Sequence, residues 1–156
     1  MTSVEIFKKV FPVSLMVLFI LIVSFFLVFP PHGKLECEAN GAPGDIIVNY
    51  KYSVDYKWWV VRKLSVRKEI SSRTDESLDD YKKILEEDYK TFNNVKSVNS
   101  NVEMIGASLV GTFNIDYDNL DNADYKNVGS VIKYKNIFVG KLKNIYIKNG
   151  ATCHYK

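Results

Sequence analysis

The longest feature in the hydrophobic pattern has no period at all. From Val10 to Phe29 the chain reads V-F-P-V-S-L-M-V-L-F-I-L-I-V-S-F-F-L-V-F, twenty residues without a charge. As a helix rising 1.5 Å per residue, such a run is about 30 Å long, the thickness of a hydrocarbon core. A core helix of that length carries a polar stripe, and this one has none. Pro12 falls in the first turn, where a missing N–H costs little, and Pro30-Pro31 stop the run. The pattern predicts a transmembrane signal-anchor helix over 10–31. Signal peptides that are cut have shorter apolar regions and small residues before the cut. The exit here is V-F-P-P-H-G-K, so a cleaved, secreted form is the alternative and not the first expectation. A lipoprotein signal would place a cysteine directly after the run, whereas Cys37 follows Lys34, Leu35 and Glu36.

Beyond that run the pattern changes. Residues 32–44 are turn-rich and read as a linker, with room for a short strand around Cys37. D-I-I-V-N-Y-K-Y-S-V (45–54) alternates as a strand. A turn at Asp55-Tyr56 leads into K-W-W-V-V-R-K-L-S-V-R-K-E-I (57–70), rich in β-branched and aromatic residues. Its later half sets Leu64, Val66 and Lys68 on one face and Lys63, Ser65 and Arg67 on the other. Over 74–94 the spacing switches to three and four, through Leu78, Tyr81, Leu85, Tyr89 and Phe92. Acidic residues crowd the first turns of this predicted helix, which suits its dipole. Two further strands follow, 94–105 and 107–117, separated by Gly106; Leu109, Gly111, Phe113 and Ile115 share a face. The polar stretch 118–129 reads as a loop or short helical piece, and S-V-I-K-Y-K after it as a short strand. Residues 137–150 place Phe138, Leu142, Ile145 and Tyr146 near helical spacing before Asn149-Gly150, a helix stop. The expected order is β-β-α-β-β-α. That is an α+β domain over 45–156, an antiparallel sheet with helices packed on one face.

Charge orients the chain. Lys8 and Lys9 precede the apolar run and Lys34 follows it, which favours residues 1–9 as a cytoplasmic tail and the domain outside. The net charge of +3 is spread along the chain. No clustered basic face argues for nucleic acid as a partner. Abundant Tyr, Asn, Lys and Ile read as the coding bias of an AT-rich genome.

Topology gives the two cysteines a meaning. Outside the cytoplasm disulfides are permitted, and Cys37 and Cys153 stand at the two ends of the exported domain. A bridge between them would close a loop of over a hundred residues and tie down the C-terminus. Two unpaired thiols are the plain alternative. A metal site is the sharper one: His32 and His154 are the only histidines, and with Cys37 and Cys153 they could ligate zinc.

The layout resembles the YehR-like small extracytoplasmic proteins and lipoproteins of bacteria and their relatives in Firmicutes. The residues that carry it are E-C-E at 36–38, the hairpin I-I-V-N-Y-K-Y with W-V-V-R-K-L-S-V, the helix D-D-Y-K-K-I-L-E-E-D-Y-K, the strand F-N-I-D-Y and the terminal N-G-A-T-C. The resemblance covers roughly 36–153 and implies an α+β fold outside the cytoplasm. It implies no established activity and carries no functional residue across. The chain departs from it in lacking a lipid-bearing cysteine after the apolar run.

Catalytic signatures are absent from the sequence. It holds no G-x-S-x-G, no glycine-rich phosphate loop, no H-E-x-x-H and no C-x-x-C. Asp116, Asp118, Asp121 and Asp124 form a weak calcium candidate; Leu120 and Asp121 occupy the fifth and sixth places of a loop that wants Asp or Asn and then Gly. A solvated loop with turn-forming Asp and Asn is the simpler reading. Trp58 and Trp59, taken as strand neighbours, should face opposite sides, one in the core and the other open to a ligand or partner. Lys57, Arg62, Lys63, Arg67 and Lys68 give that hairpin a basic character suited to anionic lipid or wall polymer, or simply to a solvated face. The chain as a whole reads as a single-pass membrane protein of the bacterial envelope. Its extracytoplasmic domain is non-catalytic and binds a small ligand or an envelope protein, and no cofactor is called for. An assembly or stress component working through protein contact, and a metal-binding domain using the Cys/His set, are the other readings.

Overall fold

Leu35, Cys37 and Ala39 alternate with Glu36, Glu38 and Asn40, and this period of two builds a strand where a linker was expected. In the computed structural model β1 runs over His32–Gly41. The structure describes residues 3–28, 31–74, 77–92, 94–121 and 135–156, with side chains of the first helix described from residue 15. The chain divides into two compact units, Met1–Pro31 and His32–Lys156.

The first unit is helix α1, Ser3–Val28, of 26 residues, about 39 Å long at 1.5 Å per residue. Every described side chain from 15 to 28 is exposed. Among the described residues no helix is long and apolar enough to cross a membrane.

The second unit is one six-stranded antiparallel sheet with two helices. After β1 come β2 (Ile46–Lys57) and β3 (Val60–Ser72), α2 (Asp79–Lys90), β4 (Val98–Ile105), β5 (Ser108–Asp116), α3 (Val139–Lys148) and β6 (Thr152–Tyr155). In space the strands lie β4-β5-β3-β2-β1-β6. The expected α+β class and antiparallel sheet hold. The order gains a strand at each end, because the segments around Cys37 and Cys153 pair with each other. The expected turn at Asp55-Tyr56 is strand instead: Val54 and Tyr56 point into the core, and the chain reverses at Trp58-Trp59. The sequence-predicted helix over 137–150 is α3. The strand expected at 130–135 falls almost wholly outside the described residues.

Register explains the core. Leu35, Val54, Leu64 and Ile115 lie side by side across β1, β2, β3 and β5. Cys37, Tyr52, Val66 and Phe113 form the next row on the same face. Lys63, Ser65 and Arg67 fall on the other face, as their alternation predicts, and that face carries ion pairs. Lys34–Asp55 (3.8 Å) and Lys63–Asp116 (3.2 Å) are half-exposed links, and Asp55 and Lys63 are themselves register partners. Such pairs contribute little singly, about 0–1 kcal/mol, but they keep this face wet and the register fixed.

Both helices cover the apolar face. In α2 the buried Leu85 sits over Gly111, and the rings of Tyr89 and of Phe92, just past the helix end, lie 5.7 and 4.9 Å from Phe113. Tyr81, expected on the buried stripe, is exposed. In α3, Val139, Leu142 and Tyr146 are buried. Its end is fixed by Gly150 at φ 85°. The Gly150 N–H donates to the Ile147 carbonyl and the Ala151 N–H to the Tyr146 carbonyl, both at 3.0 Å. This is a Schellman cap, and it turns the chain directly into β6.

Gly111 generates a prediction. A Cβ there would stand 2.6 Å from Leu85 Cδ2 and 3.2 Å from the Tyr89 hydroxyl. Gly111→Ala is therefore expected to destabilise the domain by about 1–3 kcal/mol through overpacking, measured by denaturant unfolding. With Leu85→Ala added, the combined loss is expected to fall short of the sum, because the new methyl fills part of the vacated space.

Candidate functional site

Cys37 and Cys153 are register partners on β1 and β6, and their sulfurs are bonded at 2.03 Å. The bridge closes a separation of 116 residues. Neighbouring contacts fasten the same seam. The Lys34 N–H donates to the Lys156 carbonyl (3.1 Å) and the Lys156 N–H to the Lys34 carbonyl (2.8 Å). Lys156 Nζ lies 2.6 Å from Glu36, and His154 Nε2 lies 3.7 Å from the same carboxylate. The hydrogen bond from Lys156 holds the Glu36 carboxyl below its ordinary value. Lys143 Nζ caps the Tyr155 ring at 4.4 Å.

The Cys/His metal set does not assemble. Both thiols are consumed by the bridge, so they offer no thiolate. His154 faces Glu36 on the opposite side of its strand from Cys153, as period two requires. Among the described residues no group of three or more His, Cys, Asp or Glu could hold a metal ion. The calcium candidate is occupied by its own neighbours. Asp116 receives Lys63, the Asn119 amide and the Asp118 N–H; Asp118 receives Arg62 Nη1 at 2.9 Å. Burial raises the Asp116 carboxyl and these bonds outweigh it, so its net shift is downward. Asp121 is exposed, and Asp124 lies outside the described residues.

Trp58 and Trp59 are not strand neighbours with opposed rings. They are the two central residues of the β2–β3 hairpin, with φ 53° and 59°. A two-residue loop with both φ positive is the geometry that Asn-Gly normally supplies. For a residue with a bulky side chain each such backbone costs on the order of 1–3 kcal/mol. Trp59 recovers part of that cost, since its ring packs against the core and its carbonyl accepts the Val139 N–H at 2.7 Å. Trp58 is 62 % exposed and recovers no such packing. The hairpin tip is stitched to the segment before α3: the Val61 N–H donates to the Ile137 carbonyl at 3.0 Å, and Val60 bridges Phe138. Phe138 is also 62 % exposed.

A second surface lies on the helix side, over β2 and β3. Tyr50 and Tyr52 stack in parallel with centroids 6.0 Å apart. Tyr52 stacks on Tyr146 of α3 at 4.4 Å. Lys68 Nζ stands 5.6 Å from the Tyr50 centroid. Tyr89 of α2 borders the same row; burial, and then the neighbouring Tyr50 and Asp88, push its phenol up to about 12. Tyr146 is buried, while Tyr50, Tyr52 and Tyr89 are half-buried beside one cation, a surface suited to stacking against a planar or sugar-like group. Sequence reading missed it, because only the register places Tyr50 beside Lys68.

The arrangement of the domain has a counterpart among solved structures. The NMR structure of the E. coli YehR protein, a structural-genomics target, superposes with a TM-score of 0.53 at 17% identity, covering 76% of this chain and 88% of that one. The domain has a YehR-like fold. A protein from Streptococcus pneumoniae TIGR4, also solved by NMR, matches with a TM-score of 0.49 at 18% identity, over 77% of this chain and 84% of its own. No family model matches the chain, and no curated protein matches it by sequence. The likeness carries the fold and no site residue.

Two predictions follow the site geometry of this YehR-like domain. Trp58→Asn is expected to raise stability by about 1 kcal/mol, the low end of the cost of a left-handed bulky residue; a loss in denaturant unfolding would show that the exposed indole holds the turn. Replacing both Cys37 and Cys153 by Ser is expected to cost about 4–5 kcal/mol by the chain-entropy account of a loop this long, read as a lowered unfolding midpoint.

Proposed function

We propose that the chain is a membrane-tethered, extracytoplasmic binding module of the bacterial cell envelope, acting by contact and not by catalysis. The observation that carries this reading is the Cys37–Cys153 bridge. Disulfides persist in oxidising compartments, and here one is placed where the first and last strands of the sheet meet. The tether is the charge-free run Val10–Phe29, whose described side chains all stand exposed on a helix. Exposed apolar side chains along a helix suit lipid and not water. Lys8 and Lys9 on its near side favour that end in the cytoplasm. The tyrosine row with Lys68 is the binding face of this reading. Its ligand is one that stacks, a small planar or sugar-like group.

A protein-assembly reading is favoured by one separate observation. Among the described residues β4 is the outermost strand at its end of the sheet, and Met104 and Ile105 at its end are exposed. Such an edge is a template for a further strand.

The test is isolation from membranes without reductant and with free thiols blocked, followed by peptide mass analysis. The expected result is a linked Cys37–Cys153 peptide from a chain that retains residues 10–29 and resists carbonate extraction. Two blocked thiols, or a chain found in the soluble fraction, would contradict the reading.

A further inference from the structure

The hairpin tip combines three properties that strand pairing alone does not require. Its backbone holds two tryptophans in a conformation built for Asn-Gly. Its first indole, Trp58, points into solvent, as does Phe138, whose backbone bridges Val60 just two positions along. Its surroundings are basic. Lys57 and Lys141 are exposed, and among the described residues neither pairs with a carboxylate within 4 Å. The acids at this end are already matched: Asp55 by Lys34 and Glu36 by Lys156. The tip therefore offers apolar aromatic surface flanked by two lysines without a described carboxylate partner.

The position of the tip in the sheet is equally specific. Lys57 is the register partner of His32, the first residue of β1 and the one that follows Pro31. Aromatic residues with a wet end and an apolar body, flanked by Lys, are the composition of the membrane–water interface. Anionic head groups attract exposed Lys within a Debye length. We infer that Trp58 and Phe138 seat in the interfacial layer of the bilayer, with Lys57 and Lys141 against anionic head groups. This inference rests on the tether proposed above. With 10–29 in lipid, His32 leaves the bilayer within a few residues' reach, at no more than about 3.6 Å per residue. A tip so seated would hold its own end of the sheet at the surface. It also gives the turn strain a use, since an Asn-Gly tip would be more stable and could not insert.

The two tryptophans are the only ones in the chain, so each can be watched alone. The full chain carrying Trp59→Phe reports Trp58, and the chain carrying Trp58→Phe reports Trp59. Each is reconstituted into vesicles of phosphatidylcholine and phosphatidylglycerol, with and without bromine on the acyl chains near the head group. Trp58 is expected to shift to the blue, lose most of its emission to brominated lipid and become shielded from aqueous iodide. Trp59 is expected to ignore the brominated lipid. Leaving out phosphatidylglycerol is expected to weaken the quenching of Trp58; unchanged quenching would remove the role given to Lys57 and Lys141. Free access of iodide to Trp58, with no effect of brominated lipid on a chain that floats with the vesicles, overturns the inference and leaves the tether standing. Shielding from both quenchers assigns the tip to a protein contact and likewise overturns it. A chain that fails to float overturns the tether, and this inference with it.

Discussion

Strand β6 has only four residues, too few to stay paired at the edge of a sheet by backbone bonds alone. Cys153 makes it part of the fold, because its partner across the ladder is Cys37. Much depends on that pairing. It makes β1 an interior strand instead of an exposed edge. It brings α3 down onto the sheet, since the Schellman turn at Gly150 joins the helix directly to β6. With α3 in place, Tyr146 closes the tyrosine row against Tyr52. Without the seam, α3 would be held at its start by the hairpin tip alone, and the C-terminal end that carries Tyr146 would lose its anchor.

The two faces of the sheet answer different needs. One is apolar and covered by α2 and α3, with Gly111 allowing Leu85 to approach. The other is lined with cross-strand ion pairs and faces water. Such a division lets an isolated antiparallel sheet stay soluble with helices on a single side. The hairpin tip departs from this economy. It keeps strained tryptophan backbone and exposed indole where a common turn sequence would be more stable. Local rules broken in this way mark places where something other than stability sets the residue.

How much of this was legible in the sequence differs from element to element. The alternation in β3 and β5 and the three-and-four spacing of α2 and α3 are written plainly, because each element has one wet and one dry face. The pairing of Cys37 with Cys153 was legible from their placement at the two ends of the domain. Gly33, Asn40 and Gly41 are turn formers and give β1 the look of a linker; Leu35, Cys37 and Ala39 at period two are the signal against that. Asp55 is a turn former and tryptophan is not, which draws a turn reading to Asp55-Tyr56. The continued alternation of Val54 and Tyr56 with Asp55 and Lys57 pointed to a longer strand. The tyrosine row had no sequence signature, since Tyr50, Tyr89 and Tyr146 meet only through register and helix packing. The Cys/His metal alternative failed for a reason of parity: adjacent residues on a strand face opposite ways, so Cys153 and His154 cannot serve one ion.

Amide hydrogen exchange on the oxidised chain tests the central claim, that the C-terminal strand is locked into the sheet at Cys37. The His154 and Lys156 amides, which point at β1, are predicted to exchange as slowly as the amides of β1, with Lys34 and Lys156 protected together by their mutual hydrogen bonds. Exchange of the His154 and Lys156 amides at the rate of a free tail, with β2, β3 and β5 still protected, would contradict it.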